Sequence, residues 1–284
     1  MATTFIIQSQ CGDMNIPMHD FGYHIAKAVN YQKEIYGDAC DFEFVFVSDN
    51  KRMPDIHGHY YVPVGGVDFV KDFYKSYYNI DIPKPLNIPD CIIDKPHFEF
   101  LNRTVININR NNAYPIKNMF DGDKVFVKSN DTYKKEPKIM LFDDISTATD
   151  LDDNIMISDV LHDIVDEYRV FVFRGKAVGI KQYVGDCPCI LPIHVKFIEA
   201  AIKKFEQFNV IPAYSFDVCV DSTGEMSIIE FHHMFSLGLY GFNNYSILPQ
   251  MFSQWHHWWL KKNRYMTSED TFENMYMCEW RNDT

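Results

Sequence analysis

The sequence lacks an excess of positive charge. Lys and Arg number 27 against 39 Asp and Glu, a formal net charge of −12. Proteins that track a nucleic-acid backbone carry a basic surface, so no nucleic-acid partner is expected. Long apolar runs are also missing. Met1–Gln10 has no basic start leading into an extended hydrophobic stretch, and Phe5-Ile6-Ile7 is too short to serve as one. Neither a secretory signal nor a membrane span is expected. Trp255, Trp258 and Trp259 are interrupted by His256 and His257 and followed by Lys261 and Lys262, which reads as an amphipathic helix. Cysteines at 11, 40, 91, 187, 189, 219 and 278 are odd in number and irregularly spaced. Cys187-Pro188-Cys189 is the one close pair. A single residue intervenes and no second pair follows, so the spacing does not make a zinc site. Reduced thiols and a cytoplasmic location are the expectation. No Gly-x-x-x-x-Gly-Lys loop occurs, which argues against a P-loop nucleotidase.

What is present is a core-forming composition. At 46% hydrophobic and 15% aromatic residues, the 284-residue chain can fold as one large domain or several small ones. Residues 4–8 and 42–47 read as strands, and 20–36 as the helix between them, a small α/β unit with parallel strands. Val62-Pro63-Val64-Gly65-Gly66 reads as a break, followed by a helix over 67–78. Pro83, Pro85, Pro89 and Pro96 mark a connector, because proline opposes both helix and central strand. Strands are expected at 104–108 and 124–128 and an acidic loop at 146–154. A hairpin follows at 166–183 about Gly175, then a helix over 194–209. A second hairpin spans 213–232, and a last helix covers about 246–262. The expected regions are 1–96, 97–160 and 161–284. The Asn-, Tyr- and Phe-rich composition points to a viral or AT-rich genome.

The second hairpin carries the chemistry. If its loop is the pair Thr223-Gly224, Asp217 lies directly opposite Glu230, with His232 two residues on along the same face. Two acids amid apolar neighbours repel, and a divalent cation relieves that repulsion. A loop differing by one residue sends Glu230 to the other face. Both registers are open at this level.

Asp-Glu167-Tyr-Arg169-Val-Phe-Val, Tyr-Ser-Phe-Asp217-Val, and Ile-Ile-Glu230-Phe-His232-His-Met-Phe-Ser-Leu-Gly238-Leu-Tyr240-Gly241 resemble the second half of an ATP-grasp domain. Val62–Val70 and Val125-Phe-Val-Lys128 extend the likeness upstream. The chain is most similar to a clade of ATP-grasp proteins of bacteria and phages, related to the glutamate ligases of a ribosomal protein. The resemblance implies an α/β (α+β) fold. A small N-terminal α/β domain precedes two antiparallel-sheet lobes that enclose an ATP cleft. It also implies the activity, a carboxylate–amine ligase using ATP and Mg²⁺, with Mn²⁺ as an alternative, through an acyl-phosphate. Its partners are a small-molecule or peptide carboxylate and an amine.

By the same resemblance Lys128 and Lys117 reach the phosphates, and backbone groups near Ser158, Asp159 and Val160 hold the adenine. Glu167 lies on the ribose side, and Arg169 and Lys181 lie near the reacting phosphoryl group. Lys181 takes that place only if the first hairpin carries one extra loop residue at Gly175. Otherwise it lies opposite Tyr168 on the wrong face. Asp217, Glu230 and His232 are the implied metal ligands, with His232 standing where the family usually has asparagine. Imidazole suits softer ions than Mg²⁺. The same departure motivates a second reading, a nucleotide-binding module without catalysis. A metal-dependent hydrolase using His232, His233, His256 and His257 is disfavoured, because adjacent side chains diverge in strands and helices.

Overall fold

The computed structural model describes residues 3–10, 16–48, 60–93, 100–185 and 192–263. Cys11, Cys187, Cys189, Cys278 and Pro96 lie outside the described residues. Cys40 and Cys219 are free thiols. No described helix is long and apolar enough to cross a membrane. The chain divides into two compact units: residues 1–82 with 244–284, and residues 83–243.

The first unit is built on a parallel sheet. Strand β1 (Thr3–Ser9) is buried along its whole length and pairs with β2 (Phe42–Ser48) and β3 (Tyr60–Val64) on either side. A fully buried strand belongs at the centre of a parallel sheet covered on both faces. Helix α1 (Asp20–Tyr36) buries Ile25, Ala28 and Val29, and α2 (Val67–Tyr78) buries Phe69, Val70, Phe73 and Tyr74. Gly22 brings α1 close to the sheet, since a Cβ there would lie 2.9 Å from Ile7 Cγ2. The expected break at 62–66 is corrected: Tyr60–Val64 is a strand, with Pro63 opposite Ile6. Proline is tolerated because β3 bonds to β1 alone and is an edge strand.

The last described helix, numbered α4 in chain order (Leu248–Lys262), was expected with the C-terminal lobe and instead packs in this first unit, against α1 and β3. Its apolar face decides this, with Met251, Phe252, Trp255 and Leu260 all buried. The same face buries two histidines. Nδ1 of His256 lies 2.5 Å from the Tyr74 hydroxyl, and His257 stacks on Tyr60 at 3.8 Å between ring centroids. Burial pushes both imidazoles down, His257 to about 3. The unfolded chain therefore takes up protons below about pH 6.5 that the folded chain refuses. For His257, stability falls as pH drops from about 6.5 toward 3, by about 1.4 kcal/mol per pH unit, and His256 contributes a loss of the same sign. Urea unfolding at pH 7 and pH 5 should show lower stability at pH 5, by about 2 kcal/mol from His257 with a further loss from His256. His257→Phe, which keeps the ring stack, should remove the His257 share of about 2 kcal/mol, and an unchanged pH slope in that variant would exclude this origin.

The second unit holds two four-stranded antiparallel sheets. One has the order β4 (Val105–Asn109), β7 (Asn154–Ser158), β5 (Lys124–Ser129), β6 (Lys138–Leu141). The other has the order β11 (Met226–His233), β10 (Ala213–Asp221), β8 (Ile164–Phe173), β9 (Lys176–Val184). Strands β6 and β7 were not expected. Ile155, Met156 and Ile157 in β7 are all buried, so this central strand has no polar alternation to signal it.

Period-two geometry sorts each sheet into a core face and a second face. In the first, Val125, Val127, Ile155 and Ile157 pack into a core with Phe120 and Phe142. Phe126, Lys128, Met156 and Ser158 alternate with them. In the second sheet, Tyr214 and Phe231 pack with Phe205 of α3 (Pro192–Glu206) at 4.7 Å each, and Phe216 stacks on Phe231 at 5.1 Å. Ser215, Asp217 and Cys219 alternate with these and take the opposite face.

The proline-rich segment was expected to separate regions at residue 96, yet Pro83–Ile93 belongs to the second unit. Asn87 is the reason. Its carbonyl accepts from Phe231 N at 2.6 Å, and its Nδ2 donates to the Ser129 carbonyl at 3.0 Å and Asn130 Oδ1 at 2.7 Å. One residue is thereby bonded to both sheets.

Candidate active site

Two β-bulges assemble the site. The β10–β11 loop is three residues, Ser222–Gly224, rather than the expected two: Asp221 N bonds to Glu225 O at 3.0 Å, and Gly224 takes φ +88°. The Asp221 carboxylate holds the turn, accepting from Thr223 N at 2.8 Å and Glu225 N at 3.0 Å. That loop pairs Val218 with Ile228, and continued unchanged it would place Ile229 opposite Asp217. The ladder instead slips by one residue between Asp217 and Val218, so Ile229 is the bulge and Asp217 faces Glu230. A bulge turns two successive residues on one strand toward a single partner. Ile229 and Glu230 accordingly both line the same cavity.

The first hairpin follows the same logic. Its loop is the pair Arg174-Gly175, both at positive φ, and Phe173 pairs with Lys176. The extra residue needed to bring Lys181 opposite Arg169 is not in the loop. It is Val178, bulged within β9 between Ala177 and Gly179. The result is a row across all four strands, with Glu230 opposite Asp217, Asp217 opposite Arg169, and Arg169 opposite Lys181.

Arg169 grips Asp217 with two hydrogen bonds, Nε to Oδ1 at 2.8 Å and Nη2 to Oδ2 at 2.7 Å, and donates Nη1 to the Gly238 carbonyl at 3.0 Å. Its guanidinium lies 4.8 Å from the ring centroid of Tyr240, which stacks on Tyr183 at 4.6 Å. The Tyr183 hydroxyl donates to Asp217 Oδ2 at 3.2 Å. His232 Nε2 lies 3.2 Å from Asp217 Oδ2, 3.1 Å from Arg169 Nη2 and 3.7 Å from Glu230 Oε1. Lys128 reaches across from the other sheet to pair with Glu230 Oε2.

Burial opposes the charge on both acids and is overcome in each case. Hydrogen bonds from Arg169 and His232 hold the Asp217 carboxyl well below the ordinary range. Charge from His232 and Lys128 lowers that of Glu230. Both are carboxylates at neutral pH. Two acids and two cations therefore balance, and Lys181, which has no ion-pair partner among the described residues, adds one further positive charge.

A cavity of about 420 Å³ opens beside this row. Phe126, Met156, Ile139 and Ile229 form apolar walls from both sheets, and Lys128, Ser158, Val160, Glu167 and Glu230 supply polar atoms. Asp159 also lines it, but its carboxylate is committed to the backbone, accepting from Thr104 N at 2.9 Å and Asp121 N at 2.8 Å. Lys117 is not brought in. It sits in a short 3-10 turn and pairs with Asp143 at 2.7 Å.

Three contributors escaped the sequence reading. Tyr183 shares period-two parity with Lys181 and could have been found that way. Ile229 could not, because only the bulge turns it inward. Arg103 is buried with Nη1 on the carbonyls of Leu101 and Ile228, at 3.0 and 2.9 Å, and burial pulls it down to about 10. It lies outside any strand, where periodicity says nothing.

The fold has many relatives among solved structures. A RimK-domain ATP-grasp protein from Sphaerobacter thermophilus superposes with a TM-score of 0.56 at 11% identity, covering 89% of this chain and 99% of that one. A D-cycloserine synthetase gives 0.54 at 11% identity over 89% and 99%. D-alanine–D-alanine ligase from Bacillus anthracis gives 0.50 at 13% identity over 93% and 99%. At these identities the likeness establishes the ATP-grasp fold. Among curated proteins, none matches the chain in sequence. Residues 100–249, which contain both sheets and the whole charged row, match an ATP-grasp domain family, the second family of its clade, and it is to that ATP-grasp family that the chain belongs.

Proposed function

We propose that the protein is an ATP- and divalent-metal-dependent carboxylate–amine ligase. The observation that carries this reading is the row Glu230–Asp217–Arg169–Lys181, met by Lys128 from the facing sheet beside a cavity walled by apolar residues. Family membership and the ligase relatives support the same reaction class. ATP bound in the cleft supplies the phosphoryl group that activates a substrate carboxylate as an acyl-phosphate, from which an amine displaces phosphate.

The roles follow from the side chains. Ile229, Met156 and Phe126 sandwich the base, and backbone groups at Ser158–Val160 bond its edge. Glu167 faces the ribose. Lys128 and Lys181 bind phosphoryl oxygens, and Arg169, oriented by Asp217 and Gly238, neutralises charge that builds during transfer. Ligand atoms of Asp217, Glu230 and His232 lie within 4.8 Å of one another. Two carboxylates and one imidazole fit a divalent ion and suit Mn²⁺ as well as Mg²⁺. Such an ion would add positive charge at the phosphoryl oxygens.

The test uses hydroxylamine as a generic amine. With ATP, Mg²⁺ or Mn²⁺ and a panel of amino acids and dicarboxylates, at least one acid should yield a hydroxamate with matching release of ADP. Tight nucleotide binding without ADP release under every metal and acid would instead support a non-catalytic module.

A further inference from the structure

We infer that Lys128 and a divalent cation are alternative counter-ions of Glu230, so that the cation site forms only when a nucleotide's phosphates draw Lys128 away. The inference rests on the nucleotide-binding reading above and specifies how that site is regulated.

Without a metal, Arg169 and Lys128 already balance Asp217 and Glu230, and Lys181 leaves the row with one positive charge to spare. Both oxygens of Asp217 are taken by Arg169, with Tyr183 and His232 crowding Oδ2 further. Glu230 has given Oε2 to Lys128. Its Oε1 is 3.7 Å from His232 Nε2, too far for a hydrogen bond. A divalent cation entering this arrangement would add two charges to acids already balanced and meet two cations at close range. Lys128 must first leave.

The geometry says what moves it. Lys128 stands on β5 of one sheet and Glu230 on β11 of the other, so their ion pair bridges the cleft. Both residues line the cavity, and both are only about a fifth exposed. Phosphate oxygens placed there compete with Glu230 for the ammonium. Once Lys128 turns to them, Glu230 is an uncompensated carboxylate with His232 beside it, which is a cation site. Linkage then requires that cation and nucleotide strengthen each other's binding by the same factor.

Mn²⁺ binding to the full chain, followed by the electron paramagnetic resonance of the free ion, tests this without any turnover. In the absence of nucleotide, Lys128→Gln should bind Mn²⁺ at least about tenfold more tightly than the unaltered protein, within the ordinary range of coupling between sites. Lys181→Gln removes the same charge from the same row but does not touch Glu230, and should change the affinity by less than about threefold. Equal gains in the two variants, or no gain for Lys128→Gln, overturn the inference. The reciprocal variant does not depend on Lys128→Gln folding. Glu230→Gln frees Lys128, so it should bind metal-free ATP in EDTA several-fold more tightly than the unaltered protein, whereas weaker binding would again overturn it. Failure of the unaltered protein to bind ATP with Mn²⁺ would sink the nucleotide reading, and intact ATP binding with no gain in either variant would sink this inference alone.

Discussion

Arg169→Met lowers the stability of the fold by about 3–5 kcal/mol, the usual effect of removing one partner from a buried ion pair. Asp217 is 3% exposed and Arg169 6%, so no water replaces the lost guanidinium. The Asp217 carboxylate would keep only the Tyr183 hydroxyl and His232. Its low folded-state pKa, held down against burial by Arg169 and His232, would be lost with the partner. In the unaltered protein a depressed carboxyl adds stability above its unfolded value of about 3.9 that disappears as pH falls through the folded one. The variant lacks that contribution at pH 7. Arg169→Met with Asp217→Asn should recover a large part of the loss, because the second change removes the unpaired charge. A double-mutant cycle by urea unfolding gives the coupling directly. A loss below about 1 kcal/mol for Arg169→Met would place this pair among the weak, solvent-screened ones.

Glu230→Gln separates chemistry from stability in the opposite sense. Its partner Lys128 sits in a cleft where both side chains keep partial access to water, 19% and 22%. Breaking this pair should shift stability by less than about 1 kcal/mol. If the ligase reading holds, the same change removes a carboxylate from the reacting centre. ATP-dependent hydroxamate formation should then fall at least about a hundredfold, the scale on which single electrostatic contributors act. Unfolding midpoint and ADP release, measured on one preparation, distinguish the two effects. Turnover within about threefold of the original would remove Glu230 from the proposed machinery.

Much of the frame is legible in the residues. Helices over 20–36 and 67–78 follow from apolar spacing and match α1 and α2 end to end. Both hairpins of the second sheet are readable from alternation and turn residues. Asp217 does lie opposite Glu230, but through a different loop from the two-residue turn that the residues suggest. The loop is one residue longer than expected, and Ile229 compensates by bulging. Lys181 repeats the pattern, with Val178 in the strand doing what Gly175 was expected to do in the turn. Alternation could not reveal β7, which is buried on both faces, nor the break that proved to be edge strand β3.

By itself the sequence determined most of the local elements, most of the candidate acids and cations, and their parity along each strand. These depend on periodicities of two and 3.6 residues, which are properties of neighbouring residues in the chain. Tertiary structure alone decided where the bulges fall, that Arg169 rather than solvent answers Asp217, that Lys128 crosses to Glu230, and that α4 packs with the N-terminal sheet. Each of these turns on which hydrogen bonds and buried surfaces are satisfied between segments far apart in sequence. A one-residue slip changes no local propensity, yet it reverses the face of every side chain beyond it.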